Sequence, residues 1–135
     1  MIQYQVEKNL SVGEFKAVLV KSTLGERRPI DDDDRITLML THANLIVTAR
    51  DGGKLVGVAR SLTDFAFCTY LSDLAVDETC QKQGIGKELI RHTKLATPQA
   101  KLILLAAPAA INYYPKTGMT QFEHCFYLND AADLI

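Results

Sequence analysis

The sequence predicts an α/β (α+β) fold with a partly parallel strand pair, in one domain spanning residues 1–135. Three observations lead there. A β-branched run, Leu45 to Ala49, is joined through Asp51-Gly52-Gly53-Lys54 to a second run, Leu55 to Ala59, which is the pattern of a hairpin. Strand and helix patterns then alternate through the second half, as a parallel connection requires. The chain of 135 residues is 47% hydrophobic and 23% charged, with a mean hydropathy near zero, which suits one packed core.

Taken in order, Ile2 to Val6 alternates like a first strand. Val12, Phe15, Val18 and Leu19 recur at helical spacing; Ser11 stands at the N-cap position with Glu14 three residues on, a capping box, and the helix is expected to end near Leu24-Gly25. Ile36, Met39, Leu40 and Ala43 mark a short second helix whose positive end would meet Asp31 to Asp34. After the hairpin, Ser61 to Ala66 reads as a connection and Thr69 to Val76 as a strand. Ile85, Leu89, Ile90 and Ala96 form the stripe of a third helix, closed by Thr97-Pro98. Lys101 to Ala107 reads as a strand covered on both faces, because Leu102 to Leu105 is apolar without alternation. A short helix is expected within Ala109 to Gly118 and a last strand at Glu123 to Leu128.

Composition narrows the function. Fifteen Lys and Arg against sixteen Asp and Glu give a net charge of −1, which argues against nucleic-acid binding dominated by phosphate contacts. No apolar stretch approaches a membrane span, and no signal-peptide pattern opens the sequence. Cys68, Cys80 and Cys125 are odd in number and unrelated in spacing, which points away from a disulfide framework or a zinc site. The expectation is a cytoplasmic protein with no metal, membrane or nucleic-acid partner.

The most informative segment runs from Leu71 to Lys87: strand, polar loop, two glycines, amphipathic helix. A helix N-terminus offers unpaired N–H groups and partial positive charge to a phosphate. Gly84 and Gly86 let backbone approach a ligand, and Lys82 and Lys87 add charge. The loop lacks the Lys-Ser/Thr ending of a nucleotide-triphosphate loop and the third glycine of a dinucleotide fingerprint. By itself Gly-x-Gly equally describes a tight strand-to-helix turn.

A second motif follows the Leu102–Leu105 run. With Gln81-x-x-Gly84-x-Gly86 ahead of it, Ala110-x-x-Tyr113-Tyr114-x-Lys116-x-Gly118-Met119 resembles the GNAT superfamily of N-acetyltransferases. The two motifs stand in that family's order, and the likeness covers nearly the whole chain. It implies a mixed, mostly antiparallel central sheet flanked by helices, with a splayed parallel strand pair. It also implies acetyl-coenzyme A as cosubstrate, with acetyl transfer to a primary amine by direct attack on the thioester. The amides of Gln81, Lys82, Gln83, Gly84, Ile85, Gly86 and Lys87 would hold the pyrophosphate, and the backbone of Leu74, Ala75 and Val76 would pair with the pantetheine arm. An N–H near Leu74 would polarise the thioester carbonyl.

The resemblance makes Tyr114 the general acid for the departing thiolate. A phenol with a pKa near about 10 carries its proton at neutral pH; the plainer alternative is an aromatic closing the core edge. Asp73 is the candidate base, although a hydrogen-bonded strand-end carboxylate is the preferred reading of that residue. Glu123 and His124 are weaker candidates. Ala107 stands where many members carry a pantetheine-binding asparagine, and Asn112 is the candidate substitute. Pro115 disfavours helical backbone at Tyr114. Arg60 to Asp64 followed by the Tyr70–Val76 strand is similar to small bacterial and plastid-type members, some acting on arylalkylamines. A small-molecule amine acceptor and a homodimer pairing through C-terminal strands are therefore expected. A protein or peptide acetyltransferase and a non-catalytic coenzyme A-binding module are the alternatives.

Overall fold

A computed structural model describes residues 1–135. The chain divides into two compact units, Met1–Leu105 and Ala106–Ile135. The first unit holds a five-stranded sheet in sequential order: β1 (Ile2–Val6), β2 (Leu45–Asp51), β3 (Lys54–Thr63), β4 (Cys68–Val76) and β5 (Lys101–Ile103). The first four strands are antiparallel neighbours, and β5 joins β4 in parallel. This is the mixed α/β fold with a parallel pair that the sequence predicts.

The helices cover both faces. α1 (Val12–Lys21) starts where Ser11 Oγ accepts the Glu14 N–H at 3.1 Å. It ends earlier than expected, because Ser22 turns back with its hydroxyl on the Leu19 carbonyl and Thr23 adopts a left-handed backbone. A 3₁₀ turn, Leu24–Arg27, replaces the expected last helical turn. α2 (Asp33–His42) is capped by Asp32, which accepts the Arg35 N–H at 3.1 Å, and Lys16 of α1 reaches Asp33 at 2.8 Å. Phe15, Val18, Leu19 and Ile36 pack on Ile46, Val58 and Ala75 of the sheet. α3 (Ile85–Ala96) lays Ile85 and Leu89 on Val47, Ala49, Val56 and Ala59 of the other face. Coverage on both sides is why β2 is buried from Leu45 to Ala49 without alternation. At its outer edge Arg50 bonds Glu7 and Glu14, each at 2.6 Å, and the guanidinium holds the Glu7 carboxyl down at about 2.

The strand boundaries depart from the sequence expectation in three places. β3 runs on to Thr63, so Ser61–Thr63 is strand and not connection. Polar residues do not end it because Arg60 is buried in an ion pair and Thr63 is paired with Thr69. β5 stops at Ile103 instead of Ala107. Its apolar run does not signal double coverage, since Ile103 and Leu105 are 52% and 53% exposed. No strand forms at Glu123–Leu128; that segment pairs with no strand, and Phe126 is 90% exposed. A strand without a ladder partner leaves its backbone groups to water and has no cause to persist.

The second unit, described by itself, contains the 3₁₀ turn Pro108–Ala110, the short helix α4 (Tyr113–Lys116) and the 3₁₀ turn Ala131–Asp133. Pro115 lies inside α4, so the expected disturbance at Tyr114 does not break the helix. First-turn N–H groups have no intrahelical acceptor, and the proline forfeits no hydrogen bond there.

Gly57 on β3 sets how closely α3 approaches. A Cβ there would stand 3.0 Å from Leu89 Cδ1 and 3.2 Å from Ile85 Cγ2. Gly57→Leu is expected to push α3 off the sheet and destabilise the protein by about 1–3 kcal/mol, as overpacking does, measured by denaturant unfolding.

Candidate functional site

β4 carries the site, and its hydrogen-bond directions follow from its register. Past an irregularity between Arg60 and Ser61, its partners on β3 are Asp73↔Arg60, Leu74↔Ala59, Ala75↔Val58 and Val76↔Gly57. The Asp77 N–H donates to the Val56 carbonyl at 2.8 Å. In an antiparallel ladder alternate residues face the partner. Asp73, Ala75 and Asp77 therefore aim their backbone groups at β3, and Leu74 and Val76 aim theirs at the opposite edge. The Val76 carbonyl agrees: it accepts from Gln81 Nε2 at 3.0 Å, away from β3.

The opposite edge is open. β4 and β5 pair only as Cys68↔Lys101, Thr69↔Leu102 and Tyr70↔Ile103. Beyond Tyr70 the two strands no longer pair, so the Leu74 N–H has no strand partner on that side. A strand donor with no ladder to join can bond a ligand carbonyl or a pantetheine amide laid along the edge.

β4 runs straight into the phosphate-type loop. Asp77 starts it, accepting from the Thr79 N–H at 2.9 Å and the Thr79 hydroxyl at 2.8 Å. A 3₁₀ turn, Glu78–Cys80, leads to Gln81, whose side chain braces the loop against Val76. Lys82 and Gly84 both take positive φ, 65° and 81°. Left-handed backbone at a lysine is strained, and such strain persists where the surroundings impose it. Gly84 forms the N-cap of α3 and offers no side-chain cap. The amides from Lys82 through Lys87 find no acceptor within the protein. They stand unpaired at the positive end of a helix, with Lys82 and Lys87 exposed beside them. The structure thus brings Leu74, Ala75, Val76 and the Gln81–Lys87 loop onto one continuous segment.

Asp73 is differently placed from a free base. Its side chain is fully buried; Oδ1 accepts from Arg28 Nε at 2.6 Å and Oδ2 accepts from Arg60 Nε. Arg28 also donates to the Ser72 carbonyl at 2.8 Å, and Arg60 to Ser72 Oγ at 3.1 Å and the Met39 carbonyl at 3.2 Å. Sequence reasoning missed both arginines. The one legible signal was a charged residue in the run that follows the hairpin; its pairing with Asp73 is a matter of register.

In the second unit, Tyr114 is half-buried on α4 with Tyr113 edge-on to it at 5.2 Å. Burial raises its hydroxyl pKa, with Tyr113 adding to the effect, so the phenol stays protonated. Asn112 is the exposed N-cap residue of α4 and makes no side-chain capping bond. Glu123 and His124 are exposed and lie in no strand. In the first unit, a cavity of about 480 Å³ opens beside the last turn of α2, lined by His42, Leu62, Asp64, Cys68, Tyr70 and Ile103. Asp64 stays ionised there, its carboxyl held at about 2 by the N–H groups of Phe67, Ala66 and Cys68.

Residues 14–119 match the model of the acetyltransferase (GNAT) family. The chain belongs to that family: it is an acetyltransferase whose acetyl donor is acetyl-coenzyme A. Solved structures share the fold. A GNAT-family acetyltransferase from Streptococcus pneumoniae is 20% identical over 96% of this chain and 98% of its own, with a TM-score of 0.77. An aminoglycoside acetyltransferase from an uncultured soil metagenomic sample, in complex with sisomicin, is 21% identical over 96% and 97%, with a TM-score of 0.68. Aminoglycoside N-acetyltransferase AAC(6')-Iy in complex with coenzyme A is 11% identical over 97% and 95%, with a TM-score of 0.73. No curated protein matches the chain. No helix is long and apolar enough to cross a membrane.

Gly84→Glu is expected to weaken acetyl-coenzyme A binding by roughly tenfold or more, read by calorimetry, because it sets a carboxylate and a strained backbone at the anion site. Gly84→Asn, better tolerated at positive φ, should lose less.

Proposed function

We propose that the chain acetylates a primary amine of a small molecule in the cytoplasm, working as one domain over residues 1–135. The observation that carries this reading is the open edge of β4. It sets the Leu74 N–H, a donor suited to a thioester carbonyl, on the strand that leads directly into an anion-binding helix N-terminus. A fixed donor aimed where negative charge develops lowers the barrier without reorganising during the reaction. The unpaired amides of Lys82 to Lys87 suit the pyrophosphate. The acetyl thioester supplies the electrophile, and no covalent bond to the protein is needed.

Tyr114, whose phenol burial keeps protonated, is proposed to give its proton to the leaving thiolate, with Asn112 available to the pantetheine arm. Asp73 is withdrawn as the base in this reading. Its oxygens are each ion-paired with a guanidinium group and the side chain is fully buried, so it has no open path for the acceptor's proton. The proton of the ammonium form leaves to solvent before attack.

A small-molecule acceptor is supported by the cavity of about 480 Å³ beside α2, within the size range of small-ligand sites. The aminoglycoside enzymes among the structural relatives act on amines of this kind. A panel of amines and peptides with acetyl-coenzyme A tests the reading: turnover of peptides alone would reject it. With the best acceptor, Tyr114→Phe is expected to lower single-turnover transfer by up to ~10²–10⁴-fold while coenzyme affinity stays unchanged. Equal rates would remove Tyr114 as the acid. A homodimer is also proposed, now resting on the exposed Phe122, Phe126, Tyr127 and Leu128 in place of C-terminal strands. Light scattering should show a mass above the 15.0 kDa of one chain, and a constant monomer mass over a wide concentration range would exclude pairing.

A further inference from the structure

Between Tyr70 and Asp73 the pairing of β4 with β3 slips by one residue: Leu71 pairs with Ser61 and Asp73 with Arg60, leaving Ser72 without a partner. Ser72 is a β-bulge residue. A one-residue slip reverses which face and which edge every later residue presents. The direction of the Leu74 N–H, two residues downstream, therefore depends on this bulge.

Two arginines from different parts of the chain converge on it. Arg28, just after the 3₁₀ turn that follows α1, spans Asp73 Oδ1 and the Ser72 carbonyl with one guanidinium fork. Arg60, opposite on β3, spans Asp73 Oδ2 and Ser72 Oγ and also reaches the Met39 carbonyl of α2. Every side-chain acceptor of the bulge is thus occupied. Buried ion pairs seldom add net stability over apolar packing, since desolvation offsets their attraction; their attested use is to specify one register. A bulge beside an open strand edge needs such specification, because β5 supplies no ladder there to hold it.

We propose that Arg28 and Arg60 are positioning residues, which act through Asp73 and Ser72 to hold the β4 bulge and so aim the Leu74 N–H at the thioester carbonyl. The proposal rests on the reading of Leu74 as the thioester donor. It makes the connection between α1 and α2 part of the thioester-polarising apparatus, although neither arginine touches the acetyl group. Arg28 is the member to test, being partly exposed where Arg60 is buried, so its replacement disturbs the core less.

The test is the ¹³C resonance of carbonyl-labelled acetyl-coenzyme A bound to wild type, Arg28→Met and Arg28→Lys, with calorimetric affinity and the melting temperature of each free protein. In the wild type, binding should move the thioester carbon downfield, because a donated hydrogen bond withdraws electron density from the carbonyl. Arg28→Met should lose most of that displacement while coenzyme affinity, set by the Gln81–Lys87 loop, stays near wild type. Arg28→Lys keeps the charge without the fork and should recover only part. A folded Arg28→Met with the full wild-type displacement overturns the proposal; a role confined to stability would lower the melting temperature and leave the resonance in place. Should Arg28→Met not fold, Arg28→Lys carries the same comparison, and full displacement there is equally fatal. Wild-type binding with no displacement would instead refute the Leu74 donor itself, and absence of binding would refute the site.

Discussion

Strand β4 is paired along one edge and open along most of the other, and the arrangement of the site depends on that asymmetry. The β3 ladder holds it through Val76, whereas β5 holds it only from Cys68 to Tyr70. A strand normally spends its donors and acceptors on two neighbours or on water. Here one neighbour departs halfway, and the freed donors lie beside a helix N-terminus whose own amides are also unspent. Two sets of unsatisfied backbone groups on one short segment suit a long ligand with an amide-bearing arm and an anionic head.

Holding such an edge steady requires support from behind. Gly57 lets α3 approach β3 closely, which fixes where the helix N-terminus stands relative to the end of β4. Gln81 ties the loop to the last residue of β4, and Asp77 closes the turn between them. On the other face the Arg28–Asp73–Arg60 cluster anchors the α1–α2 connection to the bulge. Charge inside the sheet is tolerated there because each carboxylate oxygen has its own guanidinium partner, and breaking one pair would leave a buried charge uncompensated.

Much of this was legible in the residues. The capping serine of α1, the acidic start of α2, the Asp51–Lys54 turn and the stripe of α3 are local patterns, and the helices and strands formed where those patterns lay. The Gln81–Gly86 loop was legible for the same reason: glycine spacing and a following amphipathic helix are properties of a few consecutive residues. The Tyr113–Tyr114 motif was equally local, and α4 formed on it despite Pro115.

What the sequence determined by itself, then, was the order of elements through the third helix, the family and the glycine turn ahead of that helix, because each depends on neighbours close along the chain. The tertiary structure decided the rest. The length of β5 depended on whether a partner strand stayed within hydrogen-bonding reach, which its apolar run from Leu102 to Leu105 does not encode. The absence of a strand at Glu123–Leu128 reflects the want of a ladder partner, which the residues of that segment do not encode. Asp73 was a candidate base by type and position, with a hydrogen-bonded strand-end carboxylate the preferred reading; which groups would bond it, one of them forty-five residues away in sequence, only the fold decided. Register and long-range charge pairing are set only when distant segments meet, and those two properties govern which way β4 presents its amides.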